Sequence, residues 1–128
     1  MAFSRTALGL AVALAACGQG RVRVDASGTA QDMHFTVQTA KKDDACVDRL
    51  SVTPLKPENA DPVWQVTAVD PSRCSATLRY GDQADHFAEV APAKPIRPGI
   101  SYRVRASGAG FTVVRDFHVA PGGVVVQN

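Results

Sequence analysis

From Arg21 onward, apolar and polar residues mostly alternate, the period of a strand with one buried face and one wet face. Arg21-Val22-Arg23-Val24-Asp25 opens the pattern. In 33–38, Met33, Phe35 and Val37 share a side. Leu50 and Val52 continue the phase of Cys46, and Trp64, Val66 and Ala68 share a face in 63–69. Across 74–80 the even positions read as inward, with Ser75, Thr77 and Arg79 outward. Tyr102, Val104 and Ala106 face inward in 100–106, opposite Arg103 and Arg105. The run 111–119 carries two short phases that change near Arg115-Asp116, which predicts a bulge or bend. Val124-Val125-Val126 reads as a terminal strand covered on both faces.

Turn formers separate these runs: Ser27-Gly28, Pro54 to Pro62, Asp70-Pro71-Ser72, Gly81-Asp82, Pro92 to Gly99, Gly108-Ala109-Gly110 and Pro121-Gly122-Gly123. No window of helical length keeps a helical apolar period without a breaker, and no internal repeat is present. The pattern predicts an all-β domain, a small antiparallel β-sandwich of seven to eight strands, with a partly open barrel as the alternative.

The N-terminus follows another rule. Arg5 is followed by the apolar stretch Ala7 to Ala13 and then by Leu14-Ala15-Ala16-Cys17, the layout of a secretory signal peptide. The apolar stretch is well short of the roughly 20 residues that a spanning helix needs. Leu14-Ala15-Ala16-Cys17 resembles the lipobox of bacterial lipoproteins. The resemblance implies cleavage before Cys17, acylation of its thiol and often of its amine, and anchorage in a membrane of the cell envelope. An ordinary cleaved signal is the alternative. The resemblance also implies outer-membrane sorting, because Gly18 stands where an aspartate favours inner-membrane retention. The expected organisation is a signal peptide over 1–16, a lipidated tether over 17–20 and the sandwich over 21–128. Two or more acyl chains hold firmly where one is marginal.

Removing residues 1–16 from a chain of 128 leaves 112, enough for one core. Without Arg5, 13 basic side chains face 12 acidic ones, so the balance gives no footprint of a nucleic-acid binder. Lys41-Lys42-Asp43-Asp44 reads as a solvated turn. Of three cysteines, Cys17 is expected to carry lipid, which leaves Cys46 and Cys74. An even remainder in an exported chain predicts one structural disulfide. Their spacing is wrong for a dithiol redox catalyst, and no histidine lies at metal-ligand spacing from either.

Ile96, Pro98 and Tyr102 have the spacing of a tyrosine corner, and the segment 96–106 resembles that of fibronectin type III domains. The resemblance implies a buried tyrosine whose hydroxyl bonds back to the corner backbone. Trp64, on an earlier strand, suits the core tryptophan of such sandwiches. Cys46 and Cys74 do not have the spacing of an antibody-type disulfide around Trp64.

Candidate chemistry is sparse. His34 and His118 sit at outward strand positions, and His86 lies in a polar loop with Asp82 and Asp85. The acidic residues lack EF-hand spacing, so no metal or cofactor is expected. No Gly-x-Ser-x-Gly elbow occurs, and Asp61, Asp70, Asp82, Asp85 and Glu89 read as loop solubilisers. No catalytic residue is assigned and no enzyme is expected. Ser107-Gly108-Ala109-Gly110-Phe111 is loosely similar to the loop of membrane-bound lysozyme inhibitors, which gives a second functional reading; a glycine hairpin accounts for the same residues. The leading expectation is an envelope lipoprotein with a non-catalytic binding or structural domain. Its membrane contact is through lipid, its partner an envelope protein or the cell wall. The contact surfaces would be the connections 54–62, 81–86 and 92–99.

Overall fold

The computed structural model describes residues 21–41, 44–82, 84 and 86–128. Cys17, the expected signal segment over 1–16 and the expected tether over 17–20 lie outside them. Nine strands run in chain order among the described residues: β1 Val22–Thr29, β2 Asp32–Thr39, β3 Arg49–Pro54, β4 Trp64–Ala68, β5 Thr77–Arg79, β6 Phe87–Ala91, β7 Ser101–Gly108, β8 Phe111–Val119 and β9 Val125–Gln127. They form two antiparallel sheets, β1-β2-β5 and β6-β4-β3-β7-β8-β9. The division of β1, β2 and β5 from β3, β7 and β8 follows the A-B-E against C-F-G division of immunoglobulin-like sandwiches. Here β6 and β9 extend the larger sheet at either edge.

The alternation dictates the core. Phe35, Val37, Leu50, Val52, Trp64, Val66, Val104 and Phe117 are fully buried between the sheets, and no polar or charged residue is buried among the described residues. Each such aliphatic or aromatic side chain contributes roughly 1.5–3 kcal/mol of transfer free energy. Ring contacts link the sheets, with Phe35 6.4 Å from Trp64 and 5.8 Å from Phe117 and Tyr80 5.1 Å from Trp64, while Phe117 and Tyr102, 5.7 Å apart, are neighbours within the larger sheet.

Four local expectations are corrected. The bulge expected near Arg115-Asp116 is absent, since β8 pairs with β7 from Gly108↔Phe111 to Ser101↔His118 without a register shift. Odd positions of β8 face inward throughout. Arg115 takes one of them by extending to the neighbouring sheet, where it donates to the Val24 carbonyl and to Asp25, both at 3.2 Å. The register shift lies instead at Gln65/Val66, between β4 and β6. The second correction concerns β9, which is covered on one face only: Val125 is buried, while Val124 and Val126 are exposed. Third, Ser27-Gly28 belongs to β1, and the chain reverses at Ala30-Gln31. Gly28 has φ +99°, and a Cβ there would collide with the Asp32 carbonyl. Finally, β6 was not expected, because Phe87 faces the core while Val90 is exposed, which leaves little apolar alternation to read.

The register also fixes the two ends of the sandwich. The described chain enters at Arg21, beside the Val22↔Thr39 pair. At that end Ala45 N–H donates to the Val37 carbonyl and Asp48 N–H to the Ser107 carbonyl. The Cys46–Cys74 disulfide closes it, with a Cα–Cα distance of 5.1 Å. At the other end Thr29 bridges Val124, Gly99 N–H donates to the Val119 carbonyl and Leu55 N–H to the Ser101 carbonyl. The eight residues of β1 separate the ends by about 25 Å, at about 3.3 Å per residue.

Candidate functional site

Two proline-rich connections meet at the far end: 55–63, which joins β3 to β4, and 92–100, which joins β6 to β7. Proline supplies no backbone donor, so neither segment continues a sheet ladder through its prolines. Specific hydrogen bonds hold the segments together instead. Lys94 N–H donates to the Val63 carbonyl at 2.9 Å. Tyr80, just beyond β5, donates its hydroxyl to the Lys94 carbonyl at 2.6 Å and lies 3.2 Å from the Val63 carbonyl. Burial pushes the Tyr80 phenol up to about 12.

Tyr102 fixes the other wall. Its ring is buried, and its hydroxyl accepts from Arg97 N–H at 2.9 Å. This is the bond that the Ile96-Pro98-Tyr102 corner requires, and Ile96 packs partly buried against the core. Because the Tyr102 oxygen accepts that bond, its own proton remains available to donate.

Between the connections lies a cleft of about 460 Å³. Pro54, Val63, Pro95, Ile100 and the Tyr102 ring give it apolar walls, and Lys56, Lys94 and Arg97 are the charged groups that line it. Among the described residues no carboxylate, imidazole or thiol lines it. None of the three cations has an ion-pair partner among the described residues. Each directly precedes a proline, in Lys56-Pro57, Lys94-Pro95 and Arg97-Pro98. A residue before proline is confined to extended backbone, so the three attachment points are restricted before any ligand arrives. A second hollow, of about 390 Å³, shares Lys56 and Ile100 with the cleft. A third, of about 340 Å³, lies on the outer sheet face beside Arg103, Arg105 and Glu58. There Arg103 is committed to Asp116 by bonds of 2.7 and 3.1 Å, and that guanidinium holds the Asp116 carboxyl below its ordinary value. A smaller hollow of about 300 Å³ lies at the entry end, beside Arg21 and Ala40.

The structure thus brings together two of the three connections singled out from sequence. The third, 81–86, contributes no lining residue to the cleft among its described positions, and Asp85 lies outside the described residues. The histidines are dispersed. His34 Nε2 lies 3.4 Å from Asp32 on the smaller sheet, His118 Nδ1 lies 2.7 Å from Asn128 Oδ1 on the larger, and the His86 ring sits 5.0 Å from Phe87. Asp82 pairs with Arg79 at 3.5 Å. Among the described residues no group of three or more metal-ligating side chains forms. The lysozyme-inhibitor-like residues form a hairpin turning at Ala109-Gly110, with Ser107 Oγ 3.2 Å from Thr112 Oγ1. Sequence reasoning missed Tyr80 and the three cleft cations; the signal available was the thrice-repeated cation-proline pair.

No family model, no curated protein and no solved structure matches the chain.

Proposed function

We propose that this chain is a lipoprotein of the bacterial cell envelope, acylated at Cys17, whose sandwich is a non-catalytic binding domain facing the periplasm from the outer membrane. The anchor half of the reading is supported by the sequence Leu14-Ala15-Ala16-Cys17 behind a short apolar leader. The binding half is supported by one observation, the cleft at the end of the sandwich opposite Arg21. The cleft lies about 25 Å along the sandwich from Arg21, the first described residue, so a domain anchored upstream of Arg21 has its cleft at the opposite end. The cleft lining supplies cations, a phenol and apolar surface, which suits recognition rather than bond cleavage.

The anchor is tested by metabolic labelling with an alkyne palmitate analogue and intact-mass analysis of natively expressed protein. The expected product begins at Cys17, carries acyl chains and fractionates with membranes. Cys17→Ser loses the label and the membrane association while keeping a folded sandwich. Native material with its leader intact and no acyl mass overturns the anchor.

A further inference from the structure

We propose that the far-end cleft is a binding site for a small amphipathic anion, one aliphatic body carrying a carboxylate head. The inference deepens the binding half of the reading above and is independent of the anchor. The cleft's volume of about 460 Å³ falls within the roughly 300–1,000 Å³ of small-molecule sites, room for one short aliphatic body. Its apolar walls exclude a purely ionic ligand as the best fit. Pro54, Val63 and Ile100 bury nothing against an ion, and Ile100 is 37 % exposed.

Charge selects the sign. Lys56, Lys94 and Arg97 line one opening with no carboxylate among them, whereas every described arginine on the outer face of the smaller sheet pairs with an aspartate: Arg23 with Asp25, and Arg79 with Asp32 and Asp82. Three uncompensated cations around an apolar cleft repel one another and attract an anionic head. The Arg97 fork matches a carboxylate in two parallel bonds, and the Tyr102 proton is a further donor in the same wall. The proline after each cation reduces the ordering cost of binding.

The test titrates full-length Cys17→Ser protein with decanoate, decan-1-ol, decyltrimethylammonium and decyl phosphate, each below its aggregation threshold, and follows backbone amides by NMR. Decanoate is expected to saturate a single site and to shift the amides of Val63, Lys94, Arg97 and Ile100. The alcohol and the cationic chain should bind at least tenfold more weakly. Lys94→Gln combined with Arg97→Gln, both exposed positions that leave the core intact, should weaken decanoate at least tenfold. Ile100→Ser should weaken it while leaving an acetate control unchanged. Equal binding of anionic, neutral and cationic chains overturns the proposal, as does the absence of saturable shifts at these amides. Decyl phosphate binding tenfold tighter than decanoate overturns the carboxylate assignment. Palmitate labelling reads the anchor separately, so either half fails without the other.

Discussion

The two ends of the sandwich are closed by different chemistry, and the difference explains why the larger cleft opens at one of them. At the entry end the chain is joined by a covalent bond and by backbone. Cys46–Cys74 ties two segments that Val47 and Ser75 also bridge through paired backbone bonds of 3.0 and 3.2 Å. Gly108 packs so closely on the Cys46 carbonyl and the Phe111 ring that a Cβ has no place there. At the far end no covalent bond joins the segments, and side chains supplement backbone bonds such as Lys94 N–H to the Val63 carbonyl. Two tyrosine hydroxyls hold two proline-rich segments, and prolines cannot zip into a ladder. The covalent tie and paired backbone bonds draw the entry-end segments together, whereas the sparser bonds at the far end leave a gap between the segments they hold. The same fold therefore has one end drawn shut and one that leaves a cleft.

The sharpest way to break this comparison is at the disulfide. Replacing Cys46 and Cys74 by alanine should cost about 3 to 4 kcal/mol on the chain-entropy model for a loop of this size. Urea denaturation should show a lower midpoint, and reductant should lower the parent protein's midpoint similarly. Decanoate affinity, measured where the variant remains folded, should be unchanged. Gly108→Ala comes next, at about 1–3 kcal/mol, because the added methyl must displace the Cys46 carbonyl or the Phe111 ring. A thermal melt reads this loss, again with far-end binding retained. A variant at either entry-end position that abolishes binding while folded would mean that the ends are not independent.

Trp64, Val66, Tyr102 and Val104 alternate regularly and are buried as that alternation implies, and Tyr102 makes the backbone bond that the resemblance of 96–106 to a tyrosine corner implies. Arg115 was misleading for a physical reason. A long side chain can occupy an inward position and still carry its charge to the sheet margin, so the polarity of a residue does not always report its direction. β6 was invisible because an edge strand with a register shift has no clean period. The cleft was legible only as two separate loops. Their meeting depends on Tyr80 reaching Lys94 and Val63, a contact between segments that no local pattern encodes.

At the far end, Tyr102→Phe should cost about 1 kcal/mol, since Arg97 N–H loses its acceptor while the ring stays packed. The effect on binding should be larger in proportion if, as proposed, the hydroxyl of this cleft-lining residue donates to the ligand. Decanoate titration of this variant, compared with its melting temperature, separates the two. A variant that loses stability and keeps full affinity removes Tyr102 from the site and leaves it a purely structural corner.

The effect confined to the far end and to alkaline pH is the titration of Tyr80. Burial raises its phenol from 10 to about 12, so the folded chain holds that proton more tightly than the unfolded chain does. The contribution is therefore complete below pH 10 and declines as pH rises from about 10 to about 12. Lysines titrate in the same window, so the informative quantity is the difference between the parent and Tyr80→Phe. The parent's urea midpoint should fall more steeply above pH 10 than that of the phenylalanine variant, and absorbance at the phenolate band should show a late-ionising tyrosine that the variant lacks. Ionisation removes the hydrogen bond to the Lys94 carbonyl and places a negative charge beside it. The amides of Lys94 and Val63 should then follow the phenolate curve, while those of Val47 and Ser107, behind the disulfide, should not. Entry-end amides moving along the same curve would show that the far end opens only when the whole sandwich does, and the distinction between a clamped end and a recognising end would be lost.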